Sequence, residues 1–176
     1  MANPTYIKGN LINVFMSVCD TSVSEPKWEY ITYTTNSGLN VTSSLSEISS
    51  KDHGIHPDKI LSSQNWEISE EALATTDTLD TIISAAQTGK EISFVFARVA
   101  EPDEAGSTGL NPVTSIGDTS VWSVGSWKKY GNGVISSAQV QASNGDTATL
   151  SITISGIGGL ADEAPTGTRR KSYVKA

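Results

Sequence analysis

The chain has 176 residues, enough for one domain with a sizeable core. Hydrophobic residues make up 37% and charged residues 18%, while 25 Ser and 19 Thr point to pleated sheets with polar faces rather than a helix bundle. Residues 1–168 hold 8 basic against 19 acidic groups, a net of −11, which argues against a surface built to grip nucleic-acid phosphates.

No apolar run approaches the ~20 residues of a membrane helix. The opening MANPTYIKGN lacks a charged region followed by an apolar one, so no secretory signal is expected. A single cysteine, Cys19, rules out an intrachain disulfide, and no Cys-x-x-Cys is present for zinc or thiol chemistry.

In chain order, residues 1–9 read as a flexible arm. Ile12, Val14, Met16 and Val18 alternate as one face of a first strand. A second strand is expected over 28–34, followed by a turn at Asn36-Ser37-Gly38. Leu39, Val41 and Leu45 then alternate with Asn40, Thr42, Ser44 and Ser46. Residues 47–62 (EISSKDHGIHPDKILS) read as a long charged loop shaped by Gly54 and Pro57. After it, Trp66 and Ile68 stand opposite Glu67 and Ser69. Leu79, Ile82, Ile83 and Ala86 have helical spacing, with Thr76 or Asp77 as cap and Gly89 past the end.

Ile92, Phe94 and Phe96 mark another strand. Residues 98–126, rich in Gly, Ser, Thr and Pro around Trp122, read as a second long loop. The clearest element is a hairpin. Ala148, Leu150, Ile152 and Ile154 alternate with hydroxyl residues, and Asn144-Gly145 supplies a turn that tolerates positive φ. In its first strand Val134, Ala138 and Val140 are assigned to one face, Ile135, Ser137, Gln139 and Gln141 to the other. Arg169, Arg170, Lys171 and Lys175 make 161–176 a basic tail, read as a solvated, frayed end. Six to eight strands and one short helix give a mainly antiparallel β domain over 1–160.

Catalytic patterns are thin. The two histidines, His53 and His56, share one loop, and no Gly-x-Ser-x-Gly elbow is present. Asp52, His53, His56 and Asp58 could offer ligands to a divalent metal, but His-x-x-His on a loop sets no ligand geometry, and a solvated loop is the better reading. Glu67, Glu70, Glu71, Asp77 and Asp80 could suggest paired carboxylates for glycoside hydrolysis. A solvated acidic face and a favourable helix dipole explain them without catalysis. Gly156-Ile157-Gly158-Gly159 follows a strand as a nucleotide loop would, yet no amphipathic helix follows to present its N-terminus. No metal, cofactor or catalytic residue is expected.

The order of segments carries a resemblance. Ser49-Ser50-Lys51-Asp52-x-Gly54 precedes Trp66-Glu67-Ile68-Ser69-Glu70-Glu71-Ala72-Leu73. Then come the helix, Gly89-Lys90-Glu91-Ile92-Ser93-Phe94-Val95-Phe96, Tyr130-Gly131-x-Gly133, and Asn144-Gly145-Asp146-x-Ala148-Thr149 leading to Gly156-x-Gly158. Over about 6–18, 28–97 and 126–160 this resembles the major tail tube proteins of long-tailed bacteriophages.

The resemblance implies a two-sheet, sandwich- or barrel-like β fold with one short helix. It implies hexameric rings with a continuous inner β-barrel, stacked into a tube that conducts DNA from capsid to host. Expected partners are further copies of the chain and the tail tip, terminator and tape-measure proteins. DNA would pass through without specific binding, and no membrane is involved. The expected place is the virion tail, assembled in the host cytoplasm. Lys51, Asp52, His53, Gly54, Ile55, His56 and Lys59 fall in the segment that in relatives reaches toward the adjacent ring. Competing readings are the inner tube of a contractile injection or secretion machine, and a monomeric β-sandwich binding module.

Overall fold

The computed structural model describes residues 12–20, 26–31, 34–48, 58–98, 115–116 and 127–175. Nine strands and one helix follow in the order β1 (Ile12–Asp20), β2 (Lys27–Tyr30), β3 (Thr34–Ile48), β4 (Asp58–Leu73), α1 (Thr76–Thr88), β5 (Ile92–Arg98), β6 (Ser115–Ile116), β7 (Lys128–Gln141), β8 (Thr149–Ala161) and β9 (Tyr173–Lys175). A short 3-10 turn lies at Gly167–Arg169.

The strands form one hydrogen-bonded sheet in the order β3-β4-β8-β7-β5-β1-β2-β6. All of its neighbours along this path are antiparallel; only β9, which runs parallel to the end of β1, departs from it. The expectation of two separate sheets is therefore corrected. The reason lies in β7: residues 128–133 pair with β5, while residues 130–141 pair with β8, so one long strand belongs to both halves.

Val14, Met16, Val18, Trp66, Ile68, Phe94, Ile135, Leu150, Ile152 and Ile154, from five strands, pack into one cluster with Ile82 and Ala85 of α1. The alternations in β1, β4, β5 and β8 thus point where their spacing indicates. In α1 the deeply buried residues are Ile82 and Ala85; Ile83 is only half-buried. The helix ends as expected, with Gly89 left-handed at φ 57°.

Three local expectations are corrected. Asn36, Ser37 and Gly38 form no turn; they lie inside β3, opposite Glu71, Glu70 and Ser69. A bulge between Thr34 and Asn36 absorbs the irregularity, and a Cβ on Gly38 would sit 3.1 Å from Ser69 Oγ. In β7 the phase changes at Ser136, where a bulge skips one residue, so Ile135, Ala138 and Val140 oppose Ile154, Ile152 and Leu150 on one face. The Ser136 hydroxyl joins Thr153 O at 3.2 Å and Ser155 Oγ at 2.9 Å, stitching the bulge in place. Finally, the presumed loop 47–62 is mostly strand at its ends, since Glu47 and Ile48 belong to β3 and residues 58–62 to β4.

Residues 1–9, and 99–126 apart from the short β6, lie outside the described residues, Trp122 among them. Asn144 and Gly145 are the central residues of a turn closed by Asp146 N–H donating to Ser143 O at 3.2 Å, with Gly145 at φ 91°.

Candidate assembly surfaces

β8 accompanies β4 only as far as the Glu67–Ser155 pair. Beyond it β4 is paired with β3 alone, and residues 40–48 and 58–65 are exposed at every position. The β3–β4 hairpin therefore leaves the body as an arm, and Trp66 stands at the joint. Its indole lies on bare backbone: a Cβ on Gly131 would approach it to 2.4 Å and one on Gly156 to 2.2 Å. Its Nε1 donates to Gly158 O at 3.0 Å, and Gly158 takes φ 74°. The two glycine motifs are thus the seat of a tryptophan, which explains them without a nucleotide.

The core-facing side of the sheet continues onto the arm. Leu39 packs against the core opposite Ile68, but Val41, Leu45 and Leu61 on the same face are 46%, 59% and 57% exposed. Near the tip Lys59 pairs with Glu47 at 3.7 Å across the strands, so Lys59 is a strand residue rather than a loop one. Lys51, Asp52, His53, Gly54, Ile55 and His56 lie outside the described residues.

The opposite face of β3, β4, β8 and β7 is a polar wall. Its rows are Asn36, Asn40, Thr42 and Ser44; Glu71, Ser69, Glu67, Asn65 and Ser63; Thr149, Ser151, Thr153 and Ser155; and Gln141, Gln139 and Ser137, with the apolar Leu73 and Val134 on the same face beside Thr149 and Ser155. Over these rows the only charges are Glu67 and Glu71, and no Lys or Arg is present. The acidic cluster read from sequence is thereby divided. Glu67 and Glu71 face the wall, whereas Glu70 alternates to the core side and is 2% exposed. Burial pushes its pKa from 4.5 to about 8, opposed only by the hydrogen bond from Thr34.

The other half of the sheet is buried on both faces. Behind β1 and β5, Phe15, Trp28, Val95, Ala97 and Tyr130 form a second cluster, against which Ala164 packs. The C-terminal segment closes over this cluster, so the reading of 161–176 as a frayed end is corrected. Arg170 Nε donates to Ser17 Oγ at 2.8 Å, and its guanidinium lies 4.4 Å from the Trp28 ring centroid. Lys171 exchanges two bonds with Ser93: its N–H donates to Ser93 Oγ at 2.9 Å, and Ser93 N–H donates to Lys171 O at 2.8 Å. Asn132 Nδ2 donates to Arg169 O at 3.1 Å, and β9 pairs with Val18, Cys19 and Asp20.

Desolvation lowers the Arg170 pKa and, as the main cause, raises that of Tyr130 beside it. Sequence reasoning missed this strap. The available signal was Ser17 and Ser93, fully buried polar residues interrupting otherwise apolar runs.

Among the described residues, no three His, Cys, Asp or Glu side chains gather to hold a metal ion.

No protein-family model matches the sequence, and no curated protein matches it. Solved structures do. A chain from the tail of an empty gene transfer agent particle, refined helically with C6 symmetry, aligns with TM-score 0.61 at 14% identity, covering 90% of this chain and 100% of that one. A chain of the native gene transfer agent virion gives 0.56 at 13% identity, covering 90% and 100%. The SPP1 tail tube gives 0.56 at 14% identity, covering 91% and 81%. At these identities the likeness is one of fold: over about nine-tenths of its length the chain has the fold seen in tail tube proteins.

Proposed function

We propose that this chain is the repeating subunit of a tail tube, a structural rather than catalytic protein. Six copies close into a ring, and rings stack into a channel through which DNA leaves a virion or virion-like particle. The observation that carries the reading is the polar wall on β3, β4, β8 and β7. Hydroxyl and amide groups hydrate a channel without gripping its contents, and two carboxylates per copy repel phosphates. A wall with no cation on it is what a conduit for DNA requires.

Two further features support the reading. The outer edge of β3 has no partner strand among the described residues, and its 15 residues extend roughly 50 Å. Such an edge is a template for a neighbouring copy, which would carry the wall round the ring as a continuous barrel. The arm, with Val41, Leu45 and Leu61 uncovered, projects toward the adjacent ring. Residues Lys51, Asp52, His53, Gly54, Ile55 and His56 at its end then belong to the stacking contact. Tail tip, terminator and tape-measure proteins are the remaining partners on this reading.

Electron microscopy of the purified protein is the test. Rings or tubes with sixfold symmetry and an open channel are expected. A chain that stays monomeric across the accessible concentration range, both in micrographs and in sedimentation, overturns the proposal.

A further inference from the structure

The polar wall has two open sides. On one, β3 is paired with β4 alone among the described residues. On the other, β7 carries β5 only over residues 128–133, so residues 134–141 are paired with β8 alone. The helix α1 approaches β7 from the core face, where Ile82 and Ala85 join the cluster of Ile135.

Both edges lack the devices that keep a sheet edge from pairing. Residues 36–46 and 134–141 contain no charged side chain and no proline. The acids nearest β3 on the wall, Glu67 and Glu71, stand one strand inside it. Elsewhere at the margins of the sheet charges are present: β2 carries Lys27 and Glu29, and β9 ends on Lys175. The two unguarded edges thus lie on opposite sides of one wall.

Direction and face fit as well. β3, β4, β8 and β7 are successively antiparallel, so β7 runs opposite to β3. A rotation about an axis along the strands preserves direction, and it therefore lays β3 of one copy antiparallel to β7 of the next. Leu39, Val41 and Ser43 are the core-side row of β3, and Ile135, Ala138 and Val140 that of β7. Val41 and Val140 are 46% and 41% exposed, each without a strand on its outer side among the described residues. On the wall side the row of Asn40 and Thr42 would meet that of Gln139 and Gln141. The pleat admits only like faces side by side, which excludes a slip of one residue.

We propose that rings close by strand addition: the outer edge of β3 pairs antiparallel with residues 134–141 of β7 in the neighbouring copy, core-side row beside core-side row. The contact is heterologous, since each copy gives one edge and receives the other, so it propagates until rotation closes it. A two-fold pairing of β3 with β3 would stop at a dimer. The inference rests on the tube reading, whose ring contact it names.

The experiment is disulfide trapping in assembled protein, on a Cys19→Ser background. Val140→Cys is combined in turn with Leu39→Cys, Val41→Cys or Ser43→Cys and, for the opposite face, with Asn40→Cys or Thr42→Cys. Within one copy β4 and β8 separate the two positions by about 14 Å, so a disulfide joins two copies or does not form. Expected is a link from one core-side combination, giving a ladder of covalent oligomers in a denaturing gel that ends at the ring size. A link from a wall-side combination alone, or tubes without a core-side link, overturns the pairing and leaves the tube reading standing. Dimers from Val41→Cys by itself show β3 against β3 and overturn it too. A ladder without rings or tubes in micrographs keeps the pairing and overturns the tube reading, and absence of both overturns the two together. Should the cysteine variants fail to fold, hydrogen exchange on the wild type decides. Amides in 36–44 and in 134–141 should both gain about tenfold protection on assembly, and a gain in one segment without the other overturns the pairing.

Discussion

Trp66 and Gly156 are in contact that no other residue at position 156 could make: the indole occupies the space where a Cβ would stand, 2.2 Å from Cε2. The pair joins the last body residue of β4 to the strand that turns away from it. The bond from Nε1 to Gly158 O locks the ring in that place. The arm therefore leaves the body from a fixed point rather than from a hinge.

Gly156→Ala must push the indole off its seat, and we expect a loss of about 2–3 kcal/mol in urea unfolding. Gly159→Ala, where nothing lies within 4 Å, should change stability by less than about 0.5 kcal/mol. Similar losses for the two variants would show that the glycine seat does not matter.

Trp66→Phe keeps an aromatic ring but removes the donor to Gly158 O. The expected cost is about 1–2 kcal/mol, read as a lowered urea midpoint at unchanged slope.

The C-terminal strap has its own test. Arg170→Ala removes both the bond to Ser17 and the stacking on Trp28, and should destabilise the chain by about 1–2 kcal/mol. Proteolysis should quicken within 164–172 well before the rest of the domain becomes susceptible. Unchanged cleavage would mean that the remaining contacts at Ser93 and β9 hold the strap by themselves.

On the arm, Leu45→Asp and Leu61→Asp alter side chains already exposed, so the free chain should lose less than about 0.5 kcal/mol. On the proposed tube reading growth should stop, because a carboxylate would then have to be buried without a partner where one ring meets the next. Tubes of normal length from the double variant would remove Val41, Leu45 and Leu61 from that contact.

For the wall, Glu67→Lys with Glu71→Lys replaces by cations the two charges that stand in the rows next to β8. Assembled tubes of this variant should retain duplex DNA fragments in sedimentation near 50 mM salt and release them as salt is raised, whereas wild-type tubes should not retain them. Equal behaviour of the two proteins would place these residues away from the channel.

The sequence by itself determined the elements whose signal is local. Period-two alternation in β1, β5 and β8, helical spacing with Gly89 beyond it in α1, and a turn at Asn144-Gly145 depend on neighbours a few residues apart. Side-chain direction is set by the backbone period, so these were legible. The order of motifs added the tail-tube fold. What only the tertiary structure decided depends on partners far along the chain. Asn36-Ser37-Gly38 reads as a turn until β4 arrives to pair with it, and the bulge at Ser136 reverses the faces of β7 without a trace in composition. Glu70 differs from Glu67 and Glu71 only in parity, and that parity acquires meaning when the core packs against one face of β4 and its neighbours. The basic tail looks solvated until Ser17, Ser93 and Trp28 meet it from other strands. In each case the deciding energy is that of desolvation or cross-strand contact, which exists only once distant segments have come together.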